Sequence, residues 1–329
     1  MHNFIFYLFY YFLIITLIIL ISKKFKIYDF PNARKSHILK VHNTGGIGIG
    51  AFYIFIVINN EYNLILESIL VSGLFILVLG IIDDIKNLSP STKLFGILLS
   101  SAYLILNDLS LTDLGNYEII GYIKLGKFSF LFTLLAVCLL INAINYIDGI
   151  DGLLLSNVLI TLAYFYFLIA KEEGSVLIIY MSIPIIINLF LNLFPIKSGL
   201  KIFSGDSGSL YLGFVISFFT ISIYKQFNVH PVFLIWALWY PVYDFLSVSI
   251  KRIMTKKSPF TSDKMHLHHF INKKNNNNHF LSTTIIAIIN ILIIILGYQI
   301  SEYSKLLSLI SFFILFFFYY SIRELVEKT

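Results

Sequence analysis

Apolar stretches of roughly the length that crosses a lipid bilayer dominate this chain. Backbone polar groups must be satisfied internally in hydrocarbon, and stretches of about 20 residues favour helices over the shorter strands of a barrel. Eleven stretches qualify, and the second and fourth are short: 3–22, 45–60, 63–82, 94–109, 128–147, 152–170, 175–194, 208–225, 231–250, 281–300 and 305–322. The first has no small-residue cleavage site, so we expect a retained membrane helix.

The composition indicates a membrane protein rather than a large soluble domain. Only 13% of the 329 residues are charged and 58% are hydrophobic, whereas soluble domains carry about 25% charged residues. The sequence therefore predicts an all-α, polytopic integral membrane protein with one membrane-embedded domain, residues 1–329. The basic residues cluster beside apolar stretches, so the net charge of +6 reflects membrane topology and argues against nucleic-acid binding.

The distribution of Lys and Arg between alternate loops predicts the orientation. Nineteen of the 24 basic residues fall on one side and five on the other, so the richer side is expected to be cytoplasmic. An odd number of spans then places the N-terminus outside and the C-terminus inside. The longest outer loop, about 107–127, predicts a small hairpin. The expected cytoplasmic loops are 23–44, 83–94, 148–152, 195–207 and 251–280.

Five polar segments lie on the expected cytoplasmic side, and the first contains Asp83, Asp84 and Lys93. These residues are explained equally well by a hydrated helix end before a turn at Pro90 and by a binding site. Adjacent carboxylates at a polar border also suit a hard divalent cation, which takes oxygen ligands. Lys93 suits a phosphate because its ammonium is a compact positive charge.

The second segment places two Asn and two Asp residues at intervals of three: Asn142, Asn145, Asp148 and Asp151. In a helix this spacing puts them on one face. Gly149 and Gly152 would break the helix and let the backbone approach a ligand closely. Helix capping alone is a poor explanation, because a polar stripe on a lipid-embedded helix is costly.

The third segment, residues 205–213, opens the eighth span with Gly, Asp and Ser residues. A helix N-terminus offers free N–H groups and a favourable dipole to an anion, and Asp206 suits a metal ion. Ordinary capping of the helix by Asp or Ser explains the same residues.

The fourth segment contains His266, His268 and His269 with Asp263, after a basic stretch that includes Arg252. A histidine cluster suggests zinc, but Cys138 is remote and the neighbourhood is basic. Anion binding by imidazole and guanidinium groups is therefore favoured over zinc, and incidental histidines in a charged loop are the remaining explanation.

The fifth segment, residues 29–46, carries several basic residues before the second span: Arg34, Lys35 and His37. The excess of basic residues in cytoplasmic loops explains them equally well. Together the five segments supply carboxylates for a divalent ion, bases for phosphates, and glycine turns. These are the components of phosphoryl transfer, in which positioning and charge neutralisation dominate catalysis. A membrane location implies a lipid reactant.

In this order the segments resemble the motifs of the polyprenyl-phosphate N-acetylhexosamine-1-phosphate transferases, glycosyltransferase family 4. The motifs are DDIKNLSPSTK (83–93), NAINYIDGIDGL (142–153), GDSGSLYLG (205–213) and PFTSDKMHLHH (259–269). Arg252, Pro241 and Asp244 match the stretch before the histidines, so the resemblance covers nearly the whole chain. Ile85-Lys86, directly after the two aspartates, is a minor departure from the family's motif.

The histidine spacing HLHH, the RKSH segment and eleven spans resemble the N-acetylglucosamine-1-phosphate type. The related phospho-N-acetylmuramoyl-pentapeptide transferase, typically with ten spans and adjacent histidines, is the alternative. The resemblance implies transfer of an N-acetylhexosamine-1-phosphate from a UDP-sugar to undecaprenyl phosphate, which yields undecaprenyl-diphospho-sugar and UMP and initiates a cell-surface polysaccharide. It implies Mg²⁺ or Mn²⁺ as cofactor and the bacterial inner membrane as location, and it allows a homodimer.

The resemblance also implies residue roles. Asp206 would bind the metal, and Asp83 and Asp84 would orient or deprotonate the lipid phosphate, together with the metal. Asp151 would meet the uracil edge. The implied catalytic residues are Asp83, Asp84, Asp148, Asp151 and His266. The implied substrate-binding residues are Lys93, Asn142, Asn145, Gly149, Arg252, His268, His269, Arg34, Lys35 and His37.

An ion-coupled transporter is the distant alternative, because membrane carboxylates also mark ion paths. Transporter sites usually lie near the bilayer midplane between repeated units. Here the carboxylates lie at the ends of spans, and the sequence shows no evident internal repeat.

Overall fold

The protein is an α-helical bundle in its computed structural model, which describes residues 2–25, 28–29, 41–59, 64–194, 200–259 and 264–328. The helices in this part of the chain are α1 (His2–Phe25), α2 (Gly45–Asn59), α3 (Leu64–Lys86), α4 (Pro90–Leu106), α5 (Ser129–Tyr146), α6 (Leu153–Leu168), α7 (Ser175–Leu193), α8 (Gly205–Phe227), α9 (Pro231–Met254), α10 (Leu267–Lys274), α11 (His279–Tyr303) and α12 (Lys305–Lys328). The described residues also form a 3-10 helix (Gly126–Phe128) and four short strands: β1 (Tyr28–Asp29), β2 (Val41–His42), β3 (Asp113–Tyr117) and β4 (Gly121–Lys124).

The helix inventory confirms the predicted all-α membrane architecture. In the described residues, 8 helices are long and apolar enough to cross a membrane. The shorter apolar helices α2, α4 and α6 correspond to three further predicted spans. Short α10 begins within the histidine motif, contains His268 and His269, and is not among the apolar helices. The sequence therefore anticipated the eleven apolar helices, with boundaries a few residues off.

Helix α8 is the centre of the bundle. Its side chains are apolar or small on every side and almost all are buried, with α2, α3 and α5 packed around it. A helix that is hydrophobic all round belongs in a protein interior. The end of α8 that carries Gly205 and Asp206 is consequently surrounded by the ends of other helices.

Two glycines allow α2 and α3 to reach the first turn of α8. A Cβ atom on Gly46 would lie 2.1 Å from the backbone nitrogen of Gly208, and one on Gly80 would lie 2.4 Å from Cα of Ser207. The backbone N–H of Gly46 also donates to the carbonyl oxygen of Ser204 at 3.0 Å. Backbones packed this closely leave no space for a larger residue, so these glycines allow α2 and α3 to lie directly against the first turn of α8.

The opposite end of the bundle carries the hairpin that the sequence predicted. Strands β3 and β4 pair antiparallel, with Tyr117 opposite Gly121. The Glu118 carboxylate at the turn accepts the backbone N–H groups of Lys305 at 2.7 Å and Leu306 at 2.9 Å. A carboxylate at a helix N-terminus satisfies free donors and complements the helix dipole. The hairpin thereby anchors the start of α12.

Gly80→Ala should destabilise the protein by about 1–3 kcal/mol, because the added methyl group meets backbone that cannot move aside. Gly73→Ala is the matched control on the same helix, where the nearest atom to the new Cβ is Cε2 of Tyr211 at 3.1 Å. The melting temperature of the detergent-solubilised protein should fall clearly more for the first variant. Equal melting temperatures would contradict the close packing described for Gly80.

Candidate active site

Four of the polar segments converge at one end of the bundle. The backbone N–H of Asp206 donates to Oδ1 of Asp84 at 2.8 Å, and Nδ2 of Asn145 donates to Oδ1 of Asp206 at 2.8 Å. Gly149 lies against His268, because a Cβ on the glycine would be 2.2 Å from Nε2 of the ring. Residues far apart in sequence therefore form one site.

Asp84 caps the N-terminus of α8. Its Oδ1 accepts the Asp206 N–H, and its Oδ2 accepts the Ser207 N–H at 3.0 Å. Asn43 donates its side-chain N–H to Oδ1 at 2.9 Å. The N-cap residue Ser204 makes no side-chain capping bond of its own. A carboxylate of α3 therefore satisfies the first free N–H groups of α8.

Lys93 is held at the site by the neighbouring carboxylate. Its ammonium forms an ion pair with the buried Asp83, whose Oδ1 accepts the Leu88 N–H at 2.7 Å. The same ammonium lies 3.6 Å from Oδ1 of Asp206. Ser89 accepts the Thr92 N–H and Pro90 occupies the first turn, so α4 begins just before Lys93. The cation is therefore positioned between two carboxylates.

Asn145 connects α5 to α8. Its Nδ2 donates to Oδ1 of Asp206 and to Oγ of Ser209 at 2.7 Å. Asn142 instead donates to the Cys138 carbonyl oxygen within its own helix. Since α5 ends at Tyr146, the three-residue stripe does not continue along the helix into the two aspartates. Those aspartates lie in the turn before α6.

Asp148 is exposed in that turn. The surrounding protein atoms nevertheless raise its pKa, and the charges of Asp206, Asp151 and Asp84 raise it further, to about 7. Like charges close together disfavour the ionised form. The Asp148 carboxyl group therefore takes up or releases a proton near neutral pH.

Asp151 has partners that the sequence did not indicate. Its Oδ2 lies 2.6 Å from Nζ of Lys201 and 2.9 Å from Nδ1 of His279, and its carbonyl oxygen accepts the Thr283 hydroxyl. Burial raises the pKa of this carboxyl, but the hydrogen bonds and charges of His279 and Lys201 outweigh burial and lower it overall. The only sequence signal for these partners was their place in polar loops.

His266 is oriented by a buried carboxylate. Its Nδ1 lies 2.7 Å from Oδ2 of Asp244, whose Oδ1 accepts the Leu267 N–H at 3.0 Å and the Tyr319 hydroxyl at 2.9 Å. Nothing in the sequence marks Tyr319 as part of a site, because a tyrosine in an apolar helix carries no distinguishing pattern. Asp244 thus joins α9, α10 and α12 at this end of the bundle.

Two residues predicted to bind substrate, His268 and Arg252, are fully buried, whereas His269 is half-buried. His268 is fully buried beneath Gly149, and burial, then the neighbouring His269, lowers its pKa. Arg252 is also buried, donates to the Pro259 carbonyl oxygen at 2.5 Å, and lies over the ring of Tyr146. Direct contact of His268 or Arg252 with substrate stays a prediction.

Several predicted residues lie outside the described part of the chain: Arg34, Lys35, His37 and Asp263. Their roles stay predictions as well. From the same basic segment, Asn43 is described and reaches the site through Asp84.

The described residues contain no ready group of three His, Cys, Asp or Glu side chains that could hold a metal. Asp84 is engaged by backbone donors and Asp83 by Lys93. The Asp206 side chain is 36% exposed and is the accessible carboxylate of this group. Mg²⁺ is usually held by one or two carboxylates together with phosphate oxygens and water. The oxygen donors present fit that kind of site.

The fold and the site define a polytopic membrane protein with carboxylates, a lysine and histidines gathered at one end of a helix bundle. Comparison with known proteins agrees with this description of a membrane protein. Residues 66–224 match the family model of glycosyl transferase family 4. The chain belongs to this family.

Named relatives extend the match. The chain is 34% identical to the probable undecaprenyl-phosphate N-acetylglucosaminyl 1-phosphate transferase of Bacillus subtilis, over 78% of this chain and 73% of that protein. It is 30% identical to the undecaprenyl-phosphate alpha-N-acetylglucosaminyl 1-phosphate transferase of Yersinia pestis, over 76% and 71%. The protein of that name from Escherichia coli K12 is 29% identical, over 76% and 70%.

Asp148→Asn should change the pH dependence of stability in protein free of substrate and metal. Folding disfavours the ionised form of Asp148. Between about pH 4 and about pH 7 this carboxyl is ionised in the unfolded chain but still protonated in the folded protein, so the stability of the wild type should fall across this range. Asn cannot ionise. The melting temperature of the variant should therefore match the wild type near pH 4 and exceed it at pH 8. A difference that stays constant across this range would contradict the raised pKa.

Proposed function

We propose that the protein transfers N-acetylglucosamine-1-phosphate from UDP-N-acetylglucosamine to undecaprenyl phosphate. The observation that carries the proposal is the meeting of Lys93, Asn145 and Asp206 at an accessible end of the bundle. It is supported by relatives whose names specify undecaprenyl phosphate and an N-acetylglucosaminyl 1-phosphate group. The product would initiate a cell-surface polysaccharide.

In the proposed reaction an oxygen of the lipid phosphate attacks the β-phosphorus of the UDP-sugar. A new P–O–P bond forms, the old one breaks, and UMP leaves with the α-phosphate. Lys93 suits the phosphate oxygens, because Asp83 already holds its ammonium at the opening of the site. The transferring group carries dispersed negative charge, so such positioned cations account for much of the rate.

Asp206 is the residue that we assign to Mg²⁺, or Mn²⁺. Its Oδ1 is oriented by Asn145, and the side chain is accessible. The ion would neutralise diphosphate oxygens when bound. Asp84 acts differently: its carboxylate holds the first turn of α8, so it positions Asp206 for this role.

The turn between α5 and α6 and the histidine segment would form the donor side of the site. Lys201 and His279 fix the carboxylate of Asp151, which is then available as a rigid hydrogen-bond acceptor for a donor group such as the uracil N–H. His266 is fixed by Asp244 in the same way. Rigid polar groups reduce the entropy lost when a substrate is ordered.

The proposed activity can be tested with purified protein, UDP-N-acetylglucosamine, undecaprenyl phosphate and Mg²⁺. The wild type should release UMP and form the lipid-linked sugar. Asp206→Asn should lower the rate by about 10²-fold or more, since it removes charge stabilisation at the transferring group. Asp108→Asn is the control, because this carboxylate lies at the opposite end and its side chain is 95% exposed.

Absence of UMP release by the wild type would refute the proposed reaction, and full activity of Asp206→Asn would refute the metal assignment. UDP-N-acetylmuramoyl-pentapeptide should be assayed in parallel. Faster transfer from that donor would instead support the peptidoglycan activity.

We further propose that the site faces the cytoplasm across the bacterial inner membrane. In a Cys138→Ser background, Lys257→Cys on the site end should react with a membrane-impermeant thiol reagent in inverted vesicles but not in intact spheroplasts. Lys171→Cys, equally exposed at the other end, should show the reverse. The opposite pattern would invert the topology.

A further inference from the structure

Helix α12 carries a buried cation at the end that reaches the histidine segment. Most side chains of α12 are at least partly exposed on the flank of the bundle, as expected of a helix that faces lipid. Arg323, close to the end of this helix, is fully buried instead. A guanidinium withdrawn from water is costly unless it is paired and hydrogen-bonded, and an ionisable side chain on a membrane helix commonly marks a functional site. The groups that Arg323 holds therefore indicate its role.

Arg323 holds the backbone directly before His266. Its Nε and Nη2 both donate to the carbonyl oxygen of Met265, at 3.1 and 2.9 Å. This carbonyl belongs to the peptide that links Met265 to His266. Because the guanidinium is a rigid planar group with several donors, two hydrogen bonds to one oxygen fix the direction of that peptide as well as its distance from α12.

The peptide on the other side of His266 is held as well. The N–H of Leu267 donates to Oδ1 of Asp244 at 3.0 Å, and Nδ1 of His266 lies 2.7 Å from Oδ2 of the same carboxylate. Tyr319 of α12 donates to that Oδ1 at 2.9 Å. Tyr319 and Arg323 are four residues apart and so lie on one face of the helix. One face of α12 thus determines the position of His266, through the carboxylate and through the backbone.

Two carboxylates of α12 keep the guanidinium in place. Nη1 of Arg323 donates to Oε1 of Glu324 at 2.7 Å, and Nη2 lies 3.3 Å from Oε2 of Glu327. Both glutamates also accept from Nζ of Lys251 on α9, each at 2.8 Å. The charge of Arg323 is therefore balanced while its Nε and Nη2 groups reach the Met265 carbonyl oxygen.

Attachment of α12 to the bundle does not require this arginine. Lys251 already joins α9 to α12 through two ion pairs, and the Trp236 indole N–H donates to the hydroxyl of Ser308 on α12 at 2.8 Å. A buried ion pair is moreover a weak source of stability, because desolvation offsets much of the attraction. What Arg323 adds is a fixed position for the segment that carries His266.

We propose that Arg323 is a positioning residue of the candidate site: it holds the Met265 carbonyl so that His266 is placed to bind the sugar-phosphate part of the UDP-sugar. The inference rests on the proposed function, which supplies that donor and places the histidine segment on the donor side. Only 3% of His266 is exposed, so a small displacement of its backbone decides whether the ring edge is presented or covered. Arg323 is fully buried and acts through His266.

The test is a double-mutant cycle on binding of UDP-N-acetylglucosamine, measured at equilibrium with Mg²⁺ and without acceptor. Arg323→Met keeps a long apolar stem but removes both hydrogen bonds to Met265. It should raise the Kd for the donor roughly tenfold, as is typical when a group that orients a binding side chain is lost. In a His266→Ala background the same substitution should add little, because no ring is left to position. An equal effect in both backgrounds, or none in either, would overturn the inference.

Lys251→Gln is the matched control, because it breaks the ion pairs between α9 and the two glutamates but leaves the bonds from Arg323 to Met265 in place. It should leave the Kd for the donor unchanged. If it weakens donor binding as much as Arg323→Met does, Arg323 only fastens α12. Arg323→Lys retains a buried cation and carries the test if Arg323→Met does not fold. A single ammonium cannot hold the carbonyl and both glutamates, so the Kd for the donor should rise by an intermediate factor.

Turnover measurements separate this inference from the proposed function. In Arg323→Met, KM for the UDP-sugar should rise while KM for undecaprenyl phosphate stays unchanged, because Lys93 and Asp206 belong to other helices of the site. A rise of both KM values together would indicate general damage to the site. A wild type that neither binds the donor nor releases UMP would refute the proposed function, and this inference with it. Donor binding and UMP release that are the same in the wild type and in Arg323→Met would refute the positioning role alone.

Discussion

The contact between the Asp84 carboxylate and the first N–H groups of α8 organises the site. It joins the end of α3 to the start of the most buried helix. A half-buried carboxylate is stabilised when its oxygens are hydrogen-bonded, and a helix N-terminus supplies donors and a favourable dipole. Gly46 and Gly80 make the approach close enough, and Asp206 is thereby presented beside Lys93. The contact between Asp84 and α8 thus holds two helices together and also positions the carboxylate and the lysine of the candidate site.

A second carboxylate plays the corresponding role on the other side of the site. Asp244 of α9 is fully buried and accepts three hydrogen bonds, two from the start of α10 and one from α12, so it determines where the histidine segment lies relative to α9 and α12. Both carboxylates act through residues that they orient. Substituting either would therefore alter geometry as well as charge, and structural and catalytic effects would have to be measured separately.

Much of this arrangement could be predicted from the sequence. The length of the apolar stretches determines the helices, and the β3–β4 hairpin followed from its alternation and turn residues. The pairing of Asp151 with Lys201 and His279 could not be foreseen, because it joins loops 50 and 128 residues apart. The end of α5 at Tyr146 lies one residue from the predicted end of the fifth span, so Asp148 and Asp151 lie in the following turn and not on the helix face that their spacing would allow.

The family match over residues 66–224 includes Lys93, Asn145 and Asp206 but ends before Asp244, His266 and Tyr319. The site is therefore assembled from a matched half and a half contributed by α9 to α12. Glu118 on the hairpin belongs to the first half and caps α12 in the second, so the halves are fastened together on the far side of the bundle. Chimaeras between relatives joined near residue 228 would exchange the histidine half alone, so the retained hairpin would need a carboxylate at position 118 to cap the incoming α12.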